Sequence, residues 1–157
     1  AGAGIASARK TYGQIVSSSV GITTMVMMAL VMTDTGMTAM LGRAIANGTG
    51  QIFPIFSPYI GLLGTFMTGS NTNSNVMFGA LQQETANALA IHTVTIVSIQ
   101  SIGGALGSAI APAKVLVGTA IAGLSGREGE VMRQTIPYCL AIVLLVGIQG
   151  WILINLL

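Results

Sequence analysis

The chain has 157 residues, of which 52% are hydrophobic and only 6% charged, with a formal net charge of +2. Ordinary soluble domains carry roughly 25% charged residues, so this composition, with a mean hydropathy of +0.80, excludes a solvated globule and predicts an all-α membrane protein. No basic stripe marks a nucleic-acid partner, and Cys139, the single cysteine, excludes an intrachain disulfide.

Ala1 to Ala8 form a small-residue lead-in that ends at Arg9-Lys10. No signal-peptide pattern precedes the first apolar run, and the chain reads as a piece of a longer protein. Gln14–Thr33 carries no charge and is long enough, at about 20 residues, to span a bilayer as a helix. Gln14 and Ser17-Ser18-Ser19 within it predict packing against protein rather than lipid. Asp34 to Gly50 then reads as a break, a short amphipathic piece ending near Arg43, and a turn at Asn47-Gly-Thr-Gly50. The methionines from Met25 to Met40 are gap-filling packing and not a metal site.

Residues 52–86 do not read as a simple crossing. Pro54 and Pro58 stand near the start, Gly61 and Gly64 follow, and the apolar stretch up to Thr68 is too short to span. The pattern predicts a re-entrant helical hairpin, with the polar run Ser70, Asn71, Thr72, Asn73, Ser74 and Asn75 at its tip. Irregular backbone and amide groups persist at membrane depth only where protein buries them or a wet cavity receives them. The helix after the tip aims its N–H groups and positive dipole end at this point, an anion site in the making, and the carbonyls of the preceding helix end offer a cation site instead.

Residues 91–124 comprise two apolar pieces joined by Gly107-Ser-Ala-Ile-Ala-Pro-Ala-Lys114, which together predict one discontinuous helix. Pro112 removes a backbone donor and frees a carbonyl at the break. Lys114 is the one charge within this apolar run, and an intramembrane ionisable residue is a functional candidate by default; snorkelling to an interface is its plainer role. His92 and Glu84 form a candidate proton-relay pair. Residues 125–135, the most charged stretch, read as an interfacial loop, and 136–157 as a final span with Pro137 in its first turn. Gly123-Leu-Ser125-Gly126 matches the short motif of intramembrane serine proteases, but no base stands within reach of the serine, so an enzyme is not the reading.

If 52–86 re-enters, Arg9, Lys10, Arg127 and Arg133 share one side, with Arg43 opposite. The positive-inside rule then places the four charges in the cytoplasm.

Thr68-Gly-Ser-Asn-Thr-Asn-Ser-Asn-Val-Met-Phe-Gly-Ala-Leu-Gln82 resembles the hairpin signature of the lactate permease family. Ser101-Ile-Gly-Gly-Ala-Leu-Gly107, Ile110-Ala-Pro-Ala-Lys114 and Gly123-Leu-Ser-Gly-Arg-Glu-Gly-Glu130 are similar to its following motifs in order and spacing. The resemblance covers most of the chain after Gly36. It implies a secondary transporter of the cell membrane that imports L-lactate, and often glycolate or D-lactate, together with protons and without a cofactor. It also implies two inverted repeats, each with a re-entrant hairpin and a broken helix. This chain would supply the C-terminal one, with the missing N-terminal repeat as its partner. Ser70-Asn71-Thr72 further resembles the hairpin-tip motif of related dicarboxylate carriers, which contacts substrate carboxylate and coupling cation; by position those roles fall on Ser70, Asn71 and Thr72. The rival reading is a channel-like or non-transporting structural membrane subunit with the tip as filter or junction.

Overall fold

The computed structural model describes residues 2–156, the side chains of 2–10, 13, 14, 17, 18 and 25 excepted. The calls on Ser17, Ser18, Gln14, Arg9 and Lys10 concern side chains outside that set. The described residues form α1 (Gly2–Asp34), α2 (Met37–Thr49), α3 (Phe53–Thr68), α4 (Asn71–Ala88), α5 (Thr93–Gly107), α6 (Pro112–Ile121) and α7 (Glu128–Leu156), with no strand among them. Thr93–Ile121 and Glu128–Leu156 are each long and apolar enough to cross a membrane. Ser19–Asp34 and Met37–Thr68, bent by 74°, supply a third crossing if counted as one broken span.

The break after α1 turns on Gly36, whose φ of 76° is left-handed. α2 is amphipathic, burying Thr38, Gly42 and Ala46 at intervals of four, the spacing of one helix face. The turn expected at Asn47–Gly50 is instead the end of α2, which passes through one 3-10 turn (Gly50–Ile52) straight into α3. Pro54 is accommodated in the first turn of α3, where its missing N–H has no helical acceptor anyway.

α3 and α4 form a tight antiparallel hairpin. Gly69 ends α3 in the left-handed region (φ 71°), its N–H bonding Thr65 O at 2.7 Å. Ser70 caps α4, its Oγ accepting from Asn73 N–H at 3.3 Å, which is what a serine N-cap does. Of the six-residue polar tip expected from sequence, only Ser70 lies outside a helix; Asn71 to Asn75 are the opening turns of α4.

α5 runs parallel to α3 at backbone contact. A Cβ on Gly61 would collide with Gln100 O, one on Gly103 with Pro58 O, and one on Gly107 would lie 2.7 Å from Leu62 O. α7 runs back antiparallel to both. A Cβ on Gly147 would lie 2.6 Å from Ile55 O, and Tyr59 Oη donates to Leu140 O at 3.1 Å. Two apolar clusters hold this unit. At the hairpin base Phe53, Ala86, Ile91 and Ile96 pack with Ile154; nearer the tip Leu62, Ile110, Cys139 and Val143 pack with Phe66 and Leu106. Large apolar side chains stay exposed along α1, α6 and α7, among them Val20, Leu30, Leu116, Ile121, Leu145 and Leu153, as a lipid-facing or partner-facing surface requires.

Two boundaries differ from the sequence reading. The interfacial loop expected over 125–135 narrows, because α7 starts at Glu128. Glu128 Oε1 accepts from Gly126 N–H at 2.9 Å and from Thr119 Oγ1 at 3.2 Å, and acidic residues favour a helix N-terminus. Pro137 therefore falls inside α7 and not in its first turn. The discontinuous helix is present, as α5 and α6 interrupted at Ser108–Ala111.

Candidate binding site at the hairpin tip

The inner part of the hairpin is sewn together by polar side chains. Fully buried Ser57 and Gln82 face each other across α3 and α4. Ser57 Oγ lies 2.9 Å from Gln82 Oε1 and 3.1 Å from Ile96 O, and Gln82 Nε2 donates to Ser57 O at 3.1 Å. Closer to the tip, Ser74 Oγ donates to Gly61 O at 2.8 Å. Asn75 joins α4 to α5, its Nδ2 donating to Ser101 Oγ at 3.1 Å and its Oδ1 accepting from Gln100 Nε2 at 3.2 Å. Two predicted site residues, Ser74 and Asn75, are thus occupied in holding the hairpin against α5.

The outer end is different. Ser70, Asn71 and Asn73 are half-buried and Thr72 is exposed. The backbone N–H groups of Asn71 and Thr72 have no acceptor among the described residues, as expected for the first turn of a helix. The tip reaches the break between α5 and α6: a Cβ on Gly69 would make ordinary contact, 3.6 Å, with Ala113 Cβ. α6 begins here, with Pro112 in its first turn. Two helix N-termini therefore meet, each carrying the positive end of its dipole.

On the other side of the break, the carbonyls of Ser108, Ala109 and Ile110 accept no backbone N–H from the described residues. Pro112 has no N–H to return to Ser108. Lys114 is exposed and bends back so that its Nζ donates to Ser108 Oγ at 2.9 Å. It borders a cavity of about 340 Å³ between α6 and α7, lined also by Val115, Thr119 and Val131. The structure thus brings Ser70, Asn71, Thr72 and Pro112 to one junction, with the Lys114 charge beside it.

It does not bring His92 and Glu84 into such an arrangement. His92 precedes α5 at the hairpin base, exposed, with Nδ1 3.2 Å from Thr95 Oγ1. Glu84 lies one face away, its Cβ against Gly42 of α2. No ion pair or hydrogen bond joins them among the described residues, and both lie at the end of the hairpin away from the tip.

Sequence reasoning passed over Ser57, Thr65, Gln82 and Gln100, all fully buried. Their signal was present in the spacing: Ser57, Gly61 and Thr65 recur every four residues, as do Gln100 and Gly104, and small or polar residues at that interval mark close helix contacts in membranes.

The sequence model of the family described as L-lactate permease matches residues 4–157. Among curated proteins, the glycolate permease GlcA of Escherichia coli (strain K12) is 40% identical over 120 residues, 76% of this chain and 21% of that protein. The L-lactate permease of Bacillus subtilis (strain 168) is 41% identical over 127 residues, 81% of this chain and 22% of that protein. The L-lactate permease of Escherichia coli (strain K12) is 35% identical over 120 residues, 76% of this chain and 22% of that protein. The chain thus spans about a fifth of the length of the curated relatives it matches. No solved structure matches it.

Proposed function

The chain belongs to the L-lactate permease family, and from that premise we propose that it is the C-terminal part of a secondary transporter carrying L-lactate, and glycolate or D-lactate, into the cell with protons. Members of this family are transporters rather than enzymes. The observation that carries the reading is the meeting of two helix N-termini at Gly69 and Ala113. Unpaired N–H groups of Asn71 and Thr72 stand at that junction, and a small carboxylate is the ligand such a place suits.

In this reading the substrate carboxylate lies on the N–H groups of Asn71 and Thr72, with the Ser70 and Asn73 side chains at its rim. Pro112 keeps the α5–α6 break open, and Lys114 adds positive potential to the approach. Ser74 and Asn75 fix the tip in place. His92 and Glu84 remain candidates for moving the proton, without a bond between them to support that role. The site is half of one completed by the missing N-terminal repeat, and alternating access proceeds by motion of the two repeats against each other.

The re-entrant placement of the hairpin has geometric support. α4, which turns end on both sides, has 18 residues and is therefore about 27 Å long at ~1.5 Å per residue, short of the ~30 Å hydrocarbon core. Its base shares a cluster with Ile154 near the end of α7, while α6 ends beside the start of α7, where Thr119 meets Glu128. With Arg127 and Arg133 at that second end, the positive-inside rule makes it the cytoplasmic end and turns the hairpin base outward.

The test is uptake of labelled L-lactate by the full-length permease in proteoliposomes under an imposed pH gradient. Saturable, gradient-driven uptake that falls in Ser70→Ala and Asn71→Ala, at normal membrane expression, is the expected result. Non-saturable flux would favour the channel reading instead, and uptake unchanged in both variants would remove the tip from the site.

A further inference from the structure

Among the described residues, three buried side-chain oxygens have no hydrogen-bond partner: Thr65 Oγ1, Asn71 Oδ1 and Gln100 Oε1. Such atoms are rare in folded proteins, because burial strips their hydration and nothing offsets the loss. All three lie in the contact of α3, α4 and α5, and two of them converge. A Cβ on Gly104 would collide with Asn71 Oδ1 and lie 3.0 Å from Thr65 Oγ1. A helical threonine ordinarily donates to the carbonyl four residues back; here that carbonyl, Gly61 O, already accepts from Ser74 Oγ. Gly104 is thus the floor of a small cradle walled by an amide oxygen and a hydroxyl, both unpaired.

The setting decides what belongs there. Neutral oxygens accept either a hydrogen-bond donor or a cation, but this cradle sits in the first turn of α4, where the dipole is positive and disfavours a cation. A neutral donor fits. Asn71 also presents its free N–H, so one residue offers a donor to an anion and an acceptor to a neighbouring hydroxyl. A molecule with a carboxylate and a hydroxyl on adjacent carbons satisfies both.

Resting on the reading of the chain as a lactate and glycolate carrier, we propose that Asn71 and Thr65 select substrates by their 2-hydroxyl group. The ligand hydroxyl donates to Asn71 Oδ1 and accepts the hydrogen of Thr65 Oγ1, while its carboxylate lies on the N–H groups of Asn71 and Thr72. Both oxygens are covered by the tip and α5, so the ligand reaches them as the tip lifts from Gly104. That movement breaks no hydrogen bond at either atom. Ser74 and Asn75, the next residues bound to neighbouring helices, stay anchored.

The experiment compares L-lactate with propionate, which has the same carbon skeleton without the hydroxyl, as competitors of labelled L-lactate uptake by the full-length permease. Propionate should compete at least about tenfold more weakly, because a site built to pair a hydroxyl rejects the analogue that lacks it. In Thr65→Val the ratio of the two inhibition constants should fall several-fold, and in Thr65→Ser it should hold. The ratio is independent of how much protein reaches the membrane; if Thr65→Val yields no uptake, Thr65→Ala is read in its place. Equal competition in the unmodified protein, or a ratio untouched by loss of the Thr65 hydroxyl, overturns the inference while leaving lactate transport standing. No lactate uptake by the unmodified permease overturns the functional reading and the inference with it.

Discussion

The two ends of the α3–α4 hairpin use the same kinds of residue for opposite purposes. Below the tip, Ser57, Ser74, Asn75 and Gln82 spend their polar groups on each other, on backbone carbonyls and on the α5 side chains of Gln100 and Ser101. At the tip, Asn71 and Thr72 keep N–H groups free, and Asn71 Oδ1 and Thr65 Oγ1 face each other's neighbourhood unpaired. A serine or an asparagine in a membrane segment is therefore neither glue nor binding site by type. What separates the roles is whether a partner already satisfies it, and the boundary here falls between Asn73 and Ser74, within a single helical turn.

The contrast can be broken most severely at the glycines that let α5 reach the hairpin. Gly61→Leu drives a side chain into the Gln100 backbone; overpacking against backbone that cannot yield costs about 3 kcal/mol, and the expected outcome is loss of monodisperse protein in size-exclusion chromatography. At the tip, Asn71→Ala should cut lactate uptake several-fold, since it removes the side-chain acceptor of the substrate hydroxyl and a neutral hydrogen bond contributes about 0.5–1.5 kcal/mol, while the melting temperature stays within a degree or two of the parent. Gln82→Leu should do the reverse. It removes both Ser57–Gln82 contacts, leaving Ser57 Oγ only Ile96 O, and lowers stability by about 1–2 kcal/mol, visible as a lower melting temperature in detergent, with KM for lactate unchanged in the protein that remains. The smallest effect is expected at exposed Lys114, where Lys114→Gln should raise KM about twofold to threefold, more at low than at high ionic strength, because exposed charges are screened. If Asn71→Ala and Gln82→Leu proved indistinguishable, with both losing stability or both losing affinity, the division of the hairpin would be wrong. The 157-residue chain alone, holding half of the proposed site, should give no uptake in liposomes.

The hairpin was legible in the sequence because chemistry announces it. Pro54 and Pro58 shorten the apolar run, and Gly69-Ser70 supplies the left-handed turn and the cap. The α5–α6 break was equally visible, since Pro112 cannot return a hydrogen bond to Ser108. Local rules were less able to fix where helices end. Asn47–Gly50 looks like a turn by composition yet is carried into helix by the packing of α2 on α4, at Gly42 against Glu84 and Thr85. The charged stretch after Ser125 looks like a loop but is recruited into α7 by Glu128 capping and the exposed Arg127–Glu130 pair at 2.8 Å.

By itself the sequence determined the class, the hairpin, the broken helix and the polar tip, because composition, proline and glycine act through the local backbone whatever lies beyond it. Only the tertiary structure decided which tip residues are free. Ser74 and Asn75 were drawn into packing and Thr65 emerged beside Asn71 because α5 lies close enough, over Gly61, Gly103 and Gly104, to claim some polar groups and strand others. That distance between helices is set by contacts some forty residues apart along the chain, and no local pattern encodes it.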